Sequence, residues 1–279
     1  MKKILFFEVN EFTGATRVTR TLLKETKKHY EVAIALVGNQ IIEDIESAIA
    51  VEKPDTLFSS FIKINPDVIK VGKAKDLEVI IRNDYKLADI TEDIKRKVLE
   101  TYPQANEIIV QTEEMRQELL HFIEIDSSKV RVMDNPLDKE DIITKAKAQN
   151  PFPNNGNYHF LWLGRKDPIK DIPTLEKAFE LVHKRYQNTD ITFISDDPNP
   201  YRWMKYADCL VISSRSEASP NVLREALFIG TPVISTDCSP TVRQLLSPQN
   251  IVPVHDSKAL AEAMIRMIEL HDDSRILKQ

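Results

Sequence analysis

Short apolar segments of strand length alternate with amphipathic helical segments along the chain. The alternation stops once, between residues 147 and 157, and then restarts. Regular alternation predicts parallel α/β sheets, because a parallel strand pair needs a crossover that a helix can supply. We expect strands near 4–9, 31–37, 55–59, 78–81, 107–111 and 130–133, and after the interruption near 160–164, 191–195, 209–213, 233–235 and 251–254.

The interruption has the composition of a linker. Residues 147–157 read Lys-Ala-Gln-Asn-Pro-Phe-Pro-Asn-Asn-Gly-Asn, with two prolines, one glycine and four asparagines. These residues favour turns and irregular chain. We expect an N-terminal domain over 1–147, a linker over 148–157 and a C-terminal domain over 158–279. Ligands of parallel sheets bind beyond the carboxyl ends of the strands, so a cleft between two such domains is the expected site.

Charge and composition narrow the function classes. The formal charge of −5 argues against a nucleic-acid partner, since such proteins usually present a basic face. Cys209 and Cys238 form no recognisable disulfide framework, and the six histidines show no zinc-ligand spacing. No apolar run approaches the roughly 18 residues that span a membrane. Glu8 ends the first apolar run too soon for a leader peptide, so we expect a cytoplasmic protein.

Two cations follow the first strand of the C-terminal domain. Arg165 comes directly after that strand, and Lys170 lies five residues on, across a proline turn. Arginine offers a planar fork for phosphate oxygens and lysine a compact charge, so the two together can stabilise a leaving diphosphate. The alternative is a solvated loop in which they pair with Asp167 and Asp171, and spacing alone slightly favours that alternative.

Two carboxylates lie around the start of a later helix. Glu217 falls in the loop after strand 209–213, and Glu225 lies about two turns into the helix predicted over 220–229. A helix N-terminus stabilises an anion, whereas a carboxylate would repel a phosphate and accept hydrogen bonds from hydroxyls instead. A ligand with both groups is a sugar nucleotide. The alternative is a pair of surface charges, with Glu225 beside Arg224.

A family resemblance joins these observations. Residues 199–226 read NPYRWMKYADCLVISSRSEASPNVLREA, and GTPVISTD follows at residues 230–237. These segments strongly resemble glycosyltransferase family 4, as do Gly164-Arg165 with Lys170 and residues 135–137; residues 13–18 and 80–84 match more weakly. The resemblance implies a retaining enzyme of GT-B fold, with two Rossmann-like domains facing a cleft. It is nearest to bacterial enzymes that build surface glycans such as lipopolysaccharide and capsule.

The resemblance also implies roles for residues of the C-terminal domain. Arg165 and Lys170 would bind the donor diphosphate, Glu217 would contact the donor sugar, and Glu225 would accept hydrogen bonds from the ribose. The main chain around the helix start would approach the donor, at Ser219, Asn221 and Val222. No metal and no cofactor are expected, because cations and a helix end replace the metal and the nucleotide sugar is a co-substrate.

The first domain carries fewer family features. Gly14 would let its loop come close to the donor, and Arg82 and Asn83 are candidate sugar or acceptor contacts, with a plain strand-end turn as an equal alternative. Compared with the family pattern, both domains look shortened, between Val37 and Asp55 and just before Ile191, and a final crossing helix looks missing or truncated after Gln279. Either the protein is a compact variant or segments are missing from the sequence.

The resemblance predicts a retaining transferase. It would move a hexose or N-acetylhexosamine from a nucleotide diphosphate sugar, with UDP as the expected nucleotide, to a glycan or lipid-linked glycan. One alternative is a non-catalytic sugar-nucleotide or glycan-binding partner in an assembly complex, and another is an epimerase or hydrolase, for which we identify no acid–base residues. Lys24, Lys27 and Lys28 are candidates for peripheral contact with the inner face of the membrane, or belong to a solvated helix.

Overall fold

The computed structural model describes residues 1–9 and 14–276. The chain divides into two compact units, Met1–Pro136 and Leu137–Gln279. Each unit is an α/β layer structure built on one parallel sheet. The predicted strands are confirmed in both units, and so is the predicted fold class.

The first unit is built on a six-stranded sheet with strand order β2-β1-β3-β4-β5-β6. Its strands are β1 (Lys3–Val9), β2 (Glu31–Val37), β3 (Thr56–Ser59), β4 (Glu78–Arg82), β5 (Glu107–Val110) and β6 (Val130–Val132). Its helices are α1 (Gly14–Thr26), α2 (Ile41–Glu52), α3 (Asn65–Ala74), α4 (Glu92–Thr101) and α5 (Glu113–Phe122). Helix α2 fills the segment that looked shortened, so the crossover from β2 to β3 contains a helix.

The second unit is built on a five-stranded sheet with strand order β11-β10-β9-β7-β8. Its strands are β7 (Tyr158–Leu163), β8 (Thr189–Ile194), β9 (Cys209–Ile212), β10 (Val233–Thr236) and β11 (Ile251–Val252). Its helices are α6 (Lys139–Ala146), α7 (Ile172–Arg185), α8 (Pro200–Tyr206), α9 (Asn221–Ile229), α10 (Pro240–Leu245) and α11 (Ser257–Ile276).

Strand β7 divides its side chains between the two faces of the second sheet. Phe160 and Trp162 join one buried cluster, while Leu161 and Leu163 join the other. Successive side chains of a strand point to opposite faces, so a strand covered by helices on both sides is apolar at nearly every position. This is why residues 160–163 of β7 form a continuous apolar run.

The division between the units differs from the linker expected at 148–157. Helix α6 lies in the second unit, where Ile142 packs into a core cluster with Phe152 and Leu137 packs against it. The Asn199 side-chain amide also donates to the carbonyl of Lys145 at 2.9 Å. The Pro- and Asn-rich segment is therefore a turn inside the second unit, pinned by a buried phenylalanine.

Strand β8 forms one edge of the second sheet. The chain leaves α7 at Arg185 and enters β8 at Thr189, and β8 pairs with β7 over its full length. After Thr189 its residues are only half-buried. The connection between α7 and β8 is therefore short, as the sequence predicted, and β8 leaves one edge of the sheet half exposed.

Candidate functional site

Lys170 and Glu217 meet at the carboxyl edge of the second sheet. Lys170 follows β7 and Glu217 follows β9, and the Lys170 Nζ lies 2.5 Å from the Glu217 Oε1. The Ser214 hydroxyl donates to the same oxygen at 2.7 Å. The lysine is thus paired with neither Asp167 nor Asp171 among the described contacts, so the solvated-loop alternative is wrong for Lys170.

Main-chain hydrogen bonds hold the two loops together beneath this pair. The Ser213 hydroxyl donates to the Lys170 carbonyl at 2.7 Å, and the Arg215 amide donates to the Ile169 carbonyl at 2.7 Å. The Glu217 amide donates to the carbonyl of Cys238 at 2.9 Å, which ties its loop to the one after β10. The position of the pair is therefore fixed by backbone contacts as well as by its own charges.

Burial controls the chemistry of the neighbouring thiol. It raises the pKa of Cys238 to about 11, and the nearby Glu217 carboxylate adds to the effect, against hydrogen bonds to Ser235 and Thr236. The thiolate is the reactive form of cysteine, so a thiol with this pKa is inert at neutral pH. Cys238 is a packing residue beside the site.

Arg165 is exposed at the carboxyl end of β7. With Lys166, Ser195 and Asp196 it lines an open depression of about 420 Å³ at the ends of β7 and β8. The structure places Arg165 on the same loop as Lys170, which follows β7.

Glu225 lies inside the second unit, on the second turn of α9. It is 4% exposed, and the Tyr201 hydroxyl donates to its Oε1 at 3.4 Å. The surface-charge alternative is therefore wrong for Glu225. Tyr201 had no predicted role, because its approach to α9 depends on how α8 packs.

The N-terminus of α9 faces the same edge of the sheet. Pro220 is the N-cap residue and the helix begins at Asn221, one position later than predicted, so Asn221 and Val222 occupy the first turn. The first N–H groups of a helix have no intrahelical acceptor and can bind an anion. Ser219 is buried and accepts a hydrogen bond from the Thr241 hydroxyl at 3.2 Å, so its side chain joins α9 to α10.

Arg82 and Asn83 lie at the carboxyl end of β4 in the first unit. Arg82 is fully buried and its Nη2 donates to Asn135, while its Nε and Nη1 have no hydrogen-bond partner in the described structure. Burial lowers the pKa of Arg82 to about 10, against the opposing charge of Asp84, so the guanidinium remains charged at neutral pH.

Asn83 is occupied by its own unit. Its side-chain amide donates to the Tyr85 carbonyl at 2.7 Å, and the Tyr102 hydroxyl donates to its Oδ1 at 3.3 Å. Gly14 is the first residue of α1, and the loop before it, residues 10–13, lies outside the described residues.

The described residues show neither a metal-binding cluster nor a membrane-spanning helix. Among the described residues no group of three or more His, Cys, Asp or Glu side chains could hold a metal ion. In the same part of the chain, no helix combines the length and apolarity that crossing a bilayer requires.

Comparison with known proteins places the C-terminal half in one family. Residues 141–279 match the family described as glycosyl transferases group 1. An uncharacterized glycosyltransferase of Methanocaldococcus jannaschii is 26% identical over 177 residues, which cover 53% of this chain and 44% of that protein. The match thus spans less than half the length of this relative.

Solved structures of similar fold extend over both units. HepE of Anabaena in complex with UDP-glucose has a TM-score of 0.75 and 14% identity, with 99% of this chain and 91% of that chain covered. Sucrose-phosphate synthase of Thermosynechococcus elongatus has a TM-score of 0.78 and 14% identity, with 96% and 90% covered. At this identity the likeness shows the fold, which is GT-B. The family match to the glycosyl transferases group 1 is carried by residues 141–279, which lie in the second unit.

Proposed function

We propose that this protein is a retaining glycosyltransferase that uses a nucleotide diphosphate sugar, with UDP as the nucleotide. It moves a hexose or an N-acetylhexosamine to a hydroxyl of a glycan or lipid-linked glycan. The observation that carries the proposal is the Lys170–Glu217 pair, 2.5 Å apart, on the sheet edge faced by the N-terminus of α9. That edge combines positive charge with hydrogen-bond acceptors.

The diphosphate would bind on the positive side of this site. Lys170 supplies an ammonium that is 21% exposed, and Arg165 supplies an exposed guanidinium on the same loop. The N–H groups at Asn221 and Val222 add the positive end of a helix. Fixed positive charge at the leaving group stabilises the charge that develops as the bond to the sugar breaks. No metal is needed in this proposal.

The hydroxyls would bind to the two carboxylates. Lys170 and Ser214 both contact Oε1 of Glu217, so Oε2 would be the oxygen that accepts a hydrogen bond from a sugar hydroxyl. Glu225 is held by Tyr201 and would accept hydrogen bonds from the ribose. The main chain at Ser219 would lie against the sugar or phosphate. A carboxylate accepts hydrogen bonds strongly, so both residues would favour a polyhydroxylated ligand.

Retention follows from front-face attack in this proposal. The acceptor oxygen forms its bond to the anomeric carbon on the face from which the diphosphate departs, and the acceptor proton passes to a diphosphate oxygen. Two features support it. Glu217 is already engaged by a cation and a hydroxyl, and burial keeps the Cys238 thiol protonated. Neither group is activated as a nucleophile.

The similar structures support a UDP-linked donor. HepE was solved in complex with UDP-glucose, and also with UDP and glucose. The lipopolysaccharide outer core galactosyltransferase WaaB, with a TM-score of 0.68 and 14% identity, supports a glycan acceptor. We therefore take UDP-glucose and UDP-galactose as the first donors to test, and a bacterial surface-glycan pathway as the setting, at the inner face of the cytoplasmic membrane.

The first unit would contribute the acceptor side. We propose that Arg82 contacts the sugar or acceptor through its Nε and Nη1. These two donors make no hydrogen bond to any described residue. Asn83 would act through Arg82, because its side chain is held by Tyr85 and Tyr102. Gly14 would let the main chain before α1 approach the donor.

The test measures UDP release and sugar transfer with a panel of UDP-sugars, and NMR determines the anomeric configuration of the product. We expect Lys170→Ala and Glu225→Ala to lower kcat/KM by roughly 100-fold or more, as loss of a charged contact to the transition state does. Glu176→Gln, on the exposed face of α7, should leave kcat/KM unchanged. Wild-type transfer by both alanine variants would overturn the site, and donor binding without turnover would favour the non-catalytic alternative.

A further inference from the structure

Asp171, directly after Lys170, has a backbone conformation that L-residues rarely adopt. Its φ is 47° and its ψ is 48°, and the residue is 2% exposed. His255, in the loop between β11 and α11, has a φ of 62°. Left-handed backbone is disfavoured for residues other than glycine, although Asp and His tolerate it better than most. Two neighbouring loops therefore each place a non-glycine residue in this region.

These two residues meet through their side chains. The His255 Nδ1 lies 2.8 Å from the Asp171 Oδ2, and the imidazole is about half exposed. Backbone in a sparsely populated region persists where the surroundings hold it there, and such residues cluster at functional sites. This contact involves both residues of unfavourable backbone conformation, and it joins the loop after β11 to the turn that carries Lys170.

Asp171 also contacts the loop that carries Glu217. The Arg215 Nη2 donates to the Asp171 Oδ1 at 3.4 Å, and Arg215 is two residues before Glu217 in the chain. The Asp171 carboxylate thus lies among three loops at the carboxyl edge, those after β7, β9 and β11. It is the buried charge on which they converge.

The ionised form of Asp171 is the one these contacts favour. Burial by itself would raise the pKa of this carboxyl, but hydrogen bonds from Arg215, Thr174 and His255, with the charge of Arg215, outweigh it and the pKa lies below the ordinary value. At neutral pH the carboxylate is charged and lies beside the Arg215 guanidinium and the His255 imidazole.

We propose that Asp171 and His255 are positioning residues that hold the turn on which Lys170 is presented to Glu217 and to the donor diphosphate. The part concerning the diphosphate rests on the proposed function. The part concerning the Lys170–Glu217 pair is a property of the protein without substrate. Neither residue needs to touch the donor.

The same unit contains a matched control pair. The His159 Nδ1 lies 3.6 Å from the Asp190 Oδ2, at the first residues of β7 and β8 and therefore at the opposite edge of the sheet. Asp190→Asn removes an aspartate carboxylate beside a histidine, as Asp171→Asn does, although the Asp190 side chain is 40% exposed. This substitution should lower the stability of the protein but leave the chemical reactivity of Lys170 unchanged.

The first experiment needs no substrate. The protein is acetylated briefly with acetic anhydride, and mass spectrometry compares Lys170 with the exposed Lys177 as an internal reference. A lysine held in an ion pair reacts slowly. We expect Asp171→Asn and His255→Gly to raise the relative rate at Lys170 severalfold, while Asp190→Asn leaves it unchanged. Unchanged Lys170 reactivity in both site variants would overturn the proposal.

His255→Gly separates positioning from folding. Glycine adopts positive φ freely, so this change relieves the backbone and should not lower Tm. A loss of Lys170 protection without a loss of Tm is an outcome that a merely structural histidine would not produce. His255→Asn, which keeps an N–H donor and tolerates this conformation, should restore part of the protection.

The second experiment measures UDP binding by calorimetry in a thermodynamic cycle. Asp171→Asn should weaken UDP binding roughly tenfold in the wild-type background, the usual effect of losing a hydrogen bond to a charged group. In the Lys170→Ala background it should have no further effect, since Asp171 acts through Lys170. Equal losses in both backgrounds would overturn the link. A wild-type protein that binds no UDP would overturn the proposed function instead, and the acetylation result would still decide the positioning proposal.

Discussion

Lys170 and Glu217 balance each other's charge in the protein without ligand. The pair is 47 positions apart in the chain, and its side chains are 21% and 16% exposed. A half-buried pair is screened less by water and salt than a surface pair is. In the proposed function, a bound diphosphate would share the Lys170 ammonium with Glu217. Because Glu217 already fixes the position of the ammonium, binding would require little reorganisation of the lysine side chain.

Asp197 provides a pH-dependent prediction near the same edge. Burial would raise its pKa, but hydrogen bonds from Trp203, Arg202 and the Asn199 amide outweigh it, so its pKa lies below the ordinary value. A carboxyl whose folded pKa is lowered stabilises the fold above its unfolded pKa of about 3.9 and loses that contribution as pH falls through the folded value.

We therefore expect Asp197→Asn to lower the free energy of unfolding by about 1.5–3 kcal/mol at pH 7, the range for hydrogen bonds to a charged group. The difference from wild type should shrink as pH falls below about 4. Urea unfolding at several pH values measures it, with Glu176→Gln as the control. A difference that stays constant from neutral to acid pH would contradict this account.

Helix α9 links the core to the site. Leu223 and Ala226 face the core and Glu225 is buried with them, while the N-terminus is at the sheet edge. The helix ends at Gly230, whose φ is 92° and whose N–H donates to the Ala226 carbonyl at 3.0 Å. Glycine is favoured at this position because left-handed backbone costs other residues energy.

Gly230→Ala should accordingly destabilise the protein by about 1–2 kcal/mol, measured by urea unfolding. Gly164→Ala is the matched control, because Gly164 has no positive φ and an added Cβ would meet the Trp162 ring at 3.4 Å. Its effect should be smaller. An added Cβ meets no atom within 4 Å at Gly230, so only its backbone conformation should oppose the substitution, and equal losses in the two variants would contradict this account.

The stable second unit should begin at Leu137, before the Pro- and Asn-rich segment, and not after the linker predicted from the sequence. Because Ile142 is 1% exposed and packs into the second core, a fragment that starts at residue 148 exposes apolar surface that a fragment from residue 137 covers. Burial of one such side chain contributes about 1.5–3 kcal/mol. We expect fragment 137–279 to unfold cooperatively at a higher Tm than 148–279 by circular dichroism. Equal Tm values would favour the linker boundary.

Much of the fold was predictable because strands and helices each follow from the local pattern of apolar residues. Runs such as residues 4–7 and 160–163 are continuously apolar, since both faces of each sheet are covered, and the crossover helices show their own periodicity. The linker boundary was not predictable in the same way. Phe152 lies among prolines and asparagines, and nothing local indicates that it packs beside Ile142 in a core.

The features of the candidate site likewise fall into those that the sequence determined and those that the tertiary structure decided. The sequence alone determined the order of the α/β elements and the residue types of the candidate site, because each depends on spacing within one segment. The partner of Lys170, the burial of Glu225 under Tyr201, and the contact between Asp171 and His255 were decided only when the loops met at one edge of the sheet. Parallel strands bring together residues that are far apart in the chain, and no local pattern records which of them will touch.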